Sequence, residues 1–299
     1  MLCTKCLYLT VLISMLLFAQ QSKAQDVIPL QASLQFASER INPMHEVSLG
    51  LSVEKFAAAI PESFEGIGDN TILDNNLVLY PFFDKLKLAQ ARICLDSIRV
   101  LHLGDSHIKG HFFTRKIGDK LAQAFPKLAY QDFGINGATA KTFLRSNYLQ
   151  IIKESQADLI ILSFGTNESH NLRYNARIHY AQLDELISSI RTALPDVPLL
   201  LTAPPGSYEG RGRRSRRTYK VNPRTEQVAQ LIKKYARENH LAFWDLYSVV
   251  GGRRYACDNW SKASMFRPDH IHYLPEGYEL QADIFCEALI NAYNEYISL

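Results

Sequence analysis

"RVLHLGDSHIKG", residues 99–110, changes character halfway along. "RVLHL" is β-branched and apolar, the pattern of a strand buried on both faces. It runs into Gly104, Asp105, Ser106 and His107, and a helical pattern starts near Gly110. A serine therefore stands at the corner between a core strand and a helix. Comparable apolar runs recur downstream: "LAYQDF" (128–133), "ADLIILSF" (157–164), "VPLLLTA" (197–203) and "LAFWDL" (241–246). Amphipathic periods separate them: "HFFTRKIGDKLAQAF" (111–125), "TFLRSNYLQIIKES" (142–155), "HYAQLDELISSIRTAL" (179–194) and "PRTEQVAQLIKKYAREN" (223–239). "PEGYELQADIFCEALINAYNEYI" (275–297) closes the chain as a helix, and "YPFFDKLKLAQARICL" (80–95) reads as a helix leading into the first strand. Strands alternating with helices imply right-handed crossovers between parallel strands. The fold class is α/β: a three-layer α/β/α sandwich with about five parallel strands.

The two ends of the chain frame this unit. Of the 299 residues, the first 24 read as a secretory signal peptide. A lysine-bearing "MLCTKC" precedes 13 apolar residues, and "QQSKA" ends in small residues at Ser22 and Ala24. Thirteen apolar residues are too few to cross about 30 Å of hydrocarbon, and no later run is longer. The reading is an exported protein, periplasmic or secreted, with no integral membrane span after signal removal. Residues 25–78 show no sustained period and are expected to be an N-terminal extension lying on the sandwich. Residues 79–299 are expected to form the main domain.

Charge and cysteine content remove several function classes. The formal charge is +3, and loss of Lys5 and Lys23 with the signal leaves about +1. That balance gives no case for a nucleic-acid partner. Cys94, Cys257 and Cys286 remain after cleavage. An odd count allows one bridge at most, and Cys94 and Cys286 read as small core residues.

In open parallel sheets, ligands bind beyond the carboxyl ends of the strands. Gly104, Asp105 and Ser106 follow the first strand, and "DFGINGATA" (132–140) the second. "FGTNESHN" (164–171) follows the third, and "RPDHIHYLPEGY" (267–278) lies beyond the fifth. These ends deliver a serine, a glycine turn, an asparagine and an Asp-x-x-His pair to one rim. A serine hydroxyl is a weak nucleophile until a base takes its proton. His272 can be that base, and Asp269 can hold its tautomer and stabilise the imidazolium. Attack on an ester carbonyl puts charge on oxygen, which donors aimed in advance stabilise. The backbone N–H groups of Ser106 and Gly137 and the side-chain amide of Asn167 are candidates.

"GDSH" (104–107), "NGAT" (136–139), "GTNE" (165–168) and "DHIH" (269–272) resemble, in order and spacing, the four blocks of the SGNH, or GDSL-type, hydrolases. The resemblance spans about residues 97–297. It implies a flavodoxin-like SGNH hydrolase fold. It makes Ser106 the nucleophile, His272 the base and Asp269 the orienting acid, with Ser106, Gly137 and Asn167 forming an oxyanion hole. "LHLGDSHIKG", "GINGA", "GTNE", "TAPP" and "WDLY" with "GG" are similar to the peptidoglycan O-acetylesterase branch. That branch implies an O-acetylated glycan as substrate partner and no cofactor. The chain departs from the family in carrying His107 where many members have leucine, and Glu168 where many have aspartate. The same triad also serves acetyl transfer to a sugar, and a non-catalytic glycan-binding protein on this fold is the third reading.

His107, Glu168 and Trp260 are candidate substrate contacts, with Met265 beside Trp260 as an alternative floor for a sugar or as core. His107 and His111 sit four apart, but His102 lies in a core strand, so the ligands a zinc site needs do not converge. No metal is expected. "GRGRRSRRTYKVNPR" (210–224) holds Arg211, Arg213, Arg214, Arg216, Arg217, Lys220 and Arg224. It reads either as a solvated loop or as a basic lid that attracts an anionic polymer.

Overall fold

A computed structural model describes residues 50–93, 96–212 and 217–299. The expected signal peptide, residues 25–49, Cys94 and three of the loop arginines (Arg213, Arg214, Arg216) lie outside the described residues.

Six strands form the central sheet: β1 (Ile72–Leu73), β2 (Ile98–Gly104), β3 (Leu128–Gly134), β4 (Leu159–Ser163), β5 (Leu199–Thr202) and β8 (Ala242–Trp244). Their order is β1-β8-β5-β4-β2-β3. All neighbours pair in parallel except β1, which runs antiparallel to β8. The five parallel strands follow the flavodoxin-type order, with the direction of winding reversing between β2 and β4. Residues Leu159 to Leu162 of β4 are all buried, which is why that segment reads as an unbroken apolar run.

Helices cover both faces. α1 (Tyr80–Gln90), α3 (Phe112–Ala124) and α10 (Pro275–Ile297) pack together on one. α4 (Ser146–Ser155), α6 (Ala176–Ala193) and α7 (Arg224–Glu238) pack on the other. In α3, Phe113, Ile117 and Leu121 are buried at four-residue spacing, so one stripe faces the sheet. α6 starts where the Asn175 side chain accepts a hydrogen bond from the Ile178 N–H at 3.1 Å. The expected helix over 142–155 is instead a 3₁₀ turn at Ala140–Leu144 followed by α4, because Arg145 between them is extended.

Two further departures concern irregular segments. The sheet has a sixth strand, β1, contributed by the segment that showed no period. Around β1 that segment is pinned by asparagines rather than by a ladder. Asn294 accepts from the Val53 N–H and donates to the Val53 carbonyl, each at 2.8 Å. Asn259 holds Glu65 in the same reciprocal way, at 2.9 and 2.8 Å. Asn70 accepts from the Trp244 indole N–H at 3.0 Å. The arginine-rich stretch is not a plain loop. β6 (Tyr208–Arg211) and β7 (Thr218–Val221) form an antiparallel hairpin there. Glu209 gathers its charges, with Arg224 Nη2 at 2.7 Å, Lys220 Nζ at 2.9 Å and Arg211 Nη2 at 3.7 Å. Hydrogen bonds from Lys220 and Arg224 hold the Glu209 carboxyl down at about 2.

Cys257 and Cys286 are buried free thiols. Among the described residues, no helix is long and apolar enough to cross a membrane.

Candidate active site

The site forms where the sheet reverses its winding, at the carboxyl ends of β2 and β4. β2 ends in Gly104, and the short helix α2 (Ser106–Lys109) turns back immediately over the sheet. That turn requires small residues beneath it. A Cβ on Gly104 would lie 2.2 Å from the Ile108 side chain, and one on Gly134 only 2.1 Å from the Lys109 nitrogen. Asp105 caps α2, accepting from the His107 N–H at 2.9 Å. The turn thus presents Ser106 at the rim.

The Ser106 hydroxyl lies 2.8 Å from His272 Nε2. His272 Nδ1 lies 2.8 Å from Asp269 Oδ2. A nitrogen facing a carboxylate carries the hydrogen, so Nδ1 donates and Nε2 is left to accept from the serine. Asp269 Oδ1 also accepts from the backbone N–H groups of Ile271 and His272, both at 2.9 Å. Burial pushes this carboxyl up, but those two N–H groups and the His272 ring outweigh it and hold it below its ordinary value. It is therefore ionised at neutral pH and suited to stabilise an imidazolium.

The loop carrying both residues is fixed from outside. Arg267 donates its N–H to the His272 carbonyl at 2.8 Å, and Phe266 bridges Tyr273. The β6–β7 hairpin adds a bond from the Tyr208 N–H to the His270 carbonyl at 2.9 Å. The Tyr219 ring lies tilted against His270, with centroids 4.0 Å apart. Sequence reading missed this clamp, since nothing in the basic stretch marks Tyr208 or Tyr219 as contacts of residues 266–273.

The oxyanion candidates gather beside the Asp105–Ser106 turn. Asn167 lies in the short helix α5 (Thr166–His170) that follows β4. Its amide nitrogen donates to the Ala138 carbonyl at 2.8 Å and to Asp105 Oδ2 at 3.3 Å. The turn bearing Gly137 is thereby joined to the turn bearing Ser106. Gly137 has φ +73°, a conformation that favours glycine, and a Cβ there would meet nothing within 4 Å. Open space lies beside its backbone.

The structure corrects three substrate-contact expectations. Trp260 is fully buried, its indole N–H bonded to the Pro205 carbonyl at 3.1 Å, so it belongs to the core. Glu168 is buried and accepts from the Ala140 and Gly165 N–H groups at 3.1 and 3.0 Å, which braces both turns beside Asn167. Burial pushes its carboxyl up. His107 is buried behind the site, with Nδ1 2.9 Å from the Tyr278 hydroxyl and its ring 5.2 Å from that of His272. Burial presses its pKa to about 3, so it stays neutral.

The other histidines weighed as metal ligands have partners of their own. His102 is buried between the Tyr130 hydroxyl (2.7 Å) and Ser163 Oγ (2.6 Å), and His111 pairs with Asp132 at 2.8 Å. Among the described residues no group of three or more His, Cys, Asp or Glu is placed to hold a metal ion.

A serine-bearing turn at the switch point of a doubly wound sheet, facing an Asp-x-x-His loop, is an arrangement able to cleave acyl groups. The sequence profile of the GDSL-like Lipase/Acylhydrolase family matches residues 102–280, more than half of the chain. The chain belongs to that family. The fold is also that of a solved peptidoglycan O-acetylesterase, with TM-score 0.67 and 16% identity over 75% of this chain and 99% of the other. A lipase/acylhydrolase from Enterococcus faecalis aligns with TM-score 0.47 and 18% identity, over 65% of this chain and 96% of its own. A GDSL-like lipase from Bacteroides thetaiotaomicron gives 0.43 and 18%, over 72% and 98%. No curated protein sequence matches the chain.

Proposed function

We propose that the protein is an exported serine esterase that removes O-acetyl groups from a glycan, with peptidoglycan as the leading candidate. The observation that carries this is the continuous relay Ser106 Oγ, His272, Asp269, both of its links at 2.8 Å. Ser106 Oγ attacks the acetyl carbonyl carbon while its proton passes to His272 Nε2. The carbonyl oxygen takes the charge and faces the Ser106 and Gly137 N–H groups and the Asn167 amide. The intermediate collapses by breaking the bond to the sugar oxygen, which takes the proton from His272. Water then gives a proton to His272 and attacks the acetyl-enzyme, releasing acetate and restoring Ser106.

Export rests on the N-terminal 24 residues. The acetylated-glycan substrate rests on the motifs shared with the O-acetylesterase branch and on likeness of fold to one such enzyme. The test is acetate release from O-acetylated peptidoglycan, acetylated xylan and a short-chain aryl acetate. Ser106→Ala should lose roughly 10⁴-fold or more in kcat on each active substrate with Tm within a few degrees of wild type. Retained turnover in that variant rejects the assignment.

A further inference from the structure

Behind the nucleophile turn lies a small pocket that the acyl-transfer scheme does not use. It is a narrow, partly open pocket with about 30 Å³ of room for water, largely apolar in lining but with Asp105, His107, Ser163, Thr166, Thr202 and Gln281 on its polar side. Two polar atoms there, His107 Nε2 and Gln281 Nε2, are buried without a hydrogen-bond partner. Their side chains are more than nine-tenths buried, at 8% and 3% exposure. One water needs about 10–15 Å³ by this measure and two to four polar partners, so the cavity suits one or two.

Asp105 forms the wall between this cavity and the oxyanion site. It is 2% exposed. Oδ1 accepts from the His107 N–H at 2.9 Å, and Oδ2 receives the Asn167 amide at the longer distance of 3.3 Å. Facing it are neutral His107 from the turn, Glu168 from α5, and Tyr278 and Gln281 from α10. The neighbours from β4 and β5 are the uncharged Ser163 and Thr202. No cation is among them, and the one other ionisable carboxyl is also buried. A buried carboxylate without a cation is costly, and such a group stays protonated instead.

We propose that Asp105 is a positioning residue of the oxyanion site: an uncharged carboxylic acid that fixes the Asn167 amide and hydrogen-bonds a resident water in the cavity behind the nucleophile turn. The inference rests on the esterase reading, through the role of Asn167. The acid's proton points into the cavity, where the water accepts it and also engages His107 and Gln281. Its hydroxyl oxygen is then a weak acceptor, which fits the long contact with Asn167. One amide hydrogen stays firmly on the Ala138 carbonyl, and the other is released to a developing oxyanion at little cost.

Ionisation would end this state. A carboxylate would draw the Asn167 hydrogen to itself and set a negative charge beside the forming oxyanion. Burial pushes the Asp105 pKa up to about 8, with the Glu168 carboxyl adding to it and the His107 N–H opposing it. Activity should therefore decline as pH rises through about 8. A capping role alone predicts lost stability without any such decline.

The test is kcat and KM against pH from about 5 to 9.5 on a short-chain aryl acetate, with a serine-directed phosphonate counting competent Ser106. Asp105→Asn cannot ionise, and it turns an N–H toward the Asn167 amide where an acceptor stood. Its kcat should fall roughly 10- to 100-fold with KM little changed, and its alkaline decline should vanish. Wild-type kcat, or a wild-type alkaline decline, in Asp105→Asn overturns the proposal. If Asp105→Asn does not fold, Gln281→Met decides. Loss of a donor to the cavity water makes Asp105 harder to ionise, so the alkaline limb should move to higher pH; an unmoved limb overturns the proposal. Wild-type protein that neither labels at Ser106 nor turns over would reject the esterase reading itself, and the inference with it.

Discussion

Two aspartates flank the candidate reacting groups, one beside Ser106 and one three residues before His272, and their surroundings are opposite. Asp105 is 2% exposed, meets two N–H donors and no cation, and is pushed up to about 8 by burial. Asp269 has a side chain 46% exposed, yet it accepts from two backbone N–H groups and an imidazole and is held below its ordinary value. Distance from the nucleophile does not explain the difference. Donor count set against burial does. A carboxyl meant to stay ionised is given hydrogens and access to water. One meant to stay neutral is enclosed, with a place for its own proton.

The comparison is broken most directly at Asp269. Asp269→Asn keeps the shape but presents an amide N–H to His272 or allows the wrong tautomer. The expected loss is about 10⁴-fold in kcat, read by steady-state kinetics with folding checked by circular dichroism. A loss below tenfold would mean that Asp269 does not set the imidazole. Next in size, Asn167→Ala removes one proposed oxyanion donor, so kcat should drop roughly 10²- to 10³-fold while phosphonate labelling of Ser106 persists. Loss of labelling in that variant would show that Asn167 builds the turn itself.

The contrast also predicts how stability follows pH. In the unfolded chain Asp105 ionises near its ordinary value of about 4. Folded, it keeps its proton up to about 8. Between those values the native state binds the extra proton, so unfolding free energy falls as pH rises across that window. Asp269 works the other way. Its contribution is present above the ordinary carboxyl value and is lost as pH falls through its lowered folded value. Urea unfolding at intervals from pH 4 to 8 should show a shallower decline in Asp105→Asn than in wild type. Equal slopes would mean that Asp105 is charged in the folded protein.

The same contrast explains how far the sequence could be read. The nucleophile turn, the parallel strands and the closing helix 275–297 carry local signatures: apolar runs, four-residue spacing, glycines forced by close approach. Ser106 and Asn167 stand out because each follows a strand end, and Asp269 and His272 because they form an Asp-x-x-His pair beyond the last strand, with chemistry no core requires. Burial has no such local signature. His107, Glu168 and Trp260 share residue types with binding sites, and only the packing of distant elements shows that they face inward. The two-residue β1 is too short to establish a period. Its anchors, Asn294, Asn259 and Asn70, lie in or bond to elements far along the chain. Tyr208 and Tyr219 clamp the Asp269–His272 loop across some 50 residues of sequence, as the bond from Tyr219 Oη to the Pro268 carbonyl at 3.2 Å illustrates.

The smallest effect is expected where charge is dense but wet. Lys220 pairs with Glu209 at 2.9 Å, yet its side chain is 43% exposed, and Arg224 holds the same carboxylate at 2.7 Å from a more buried position. Exposed pairs contribute roughly 0–1 kcal/mol and are screened by salt. Lys220→Gln should therefore shift Tm by a few degrees at most, less at 0.5 M salt than at low salt, with kcat on a neutral aryl acetate unchanged. Arg224 keeps Glu209 in place, and its bond from Nε to the Ser169 carbonyl at 2.6 Å keeps the base of the hairpin on α5. A tenfold loss of kcat in Lys220→Gln would contradict this ordering. It would mean that the hairpin holds the Asp269–His272 loop through its charges rather than through the Tyr208 backbone bond and the Tyr219 ring contact.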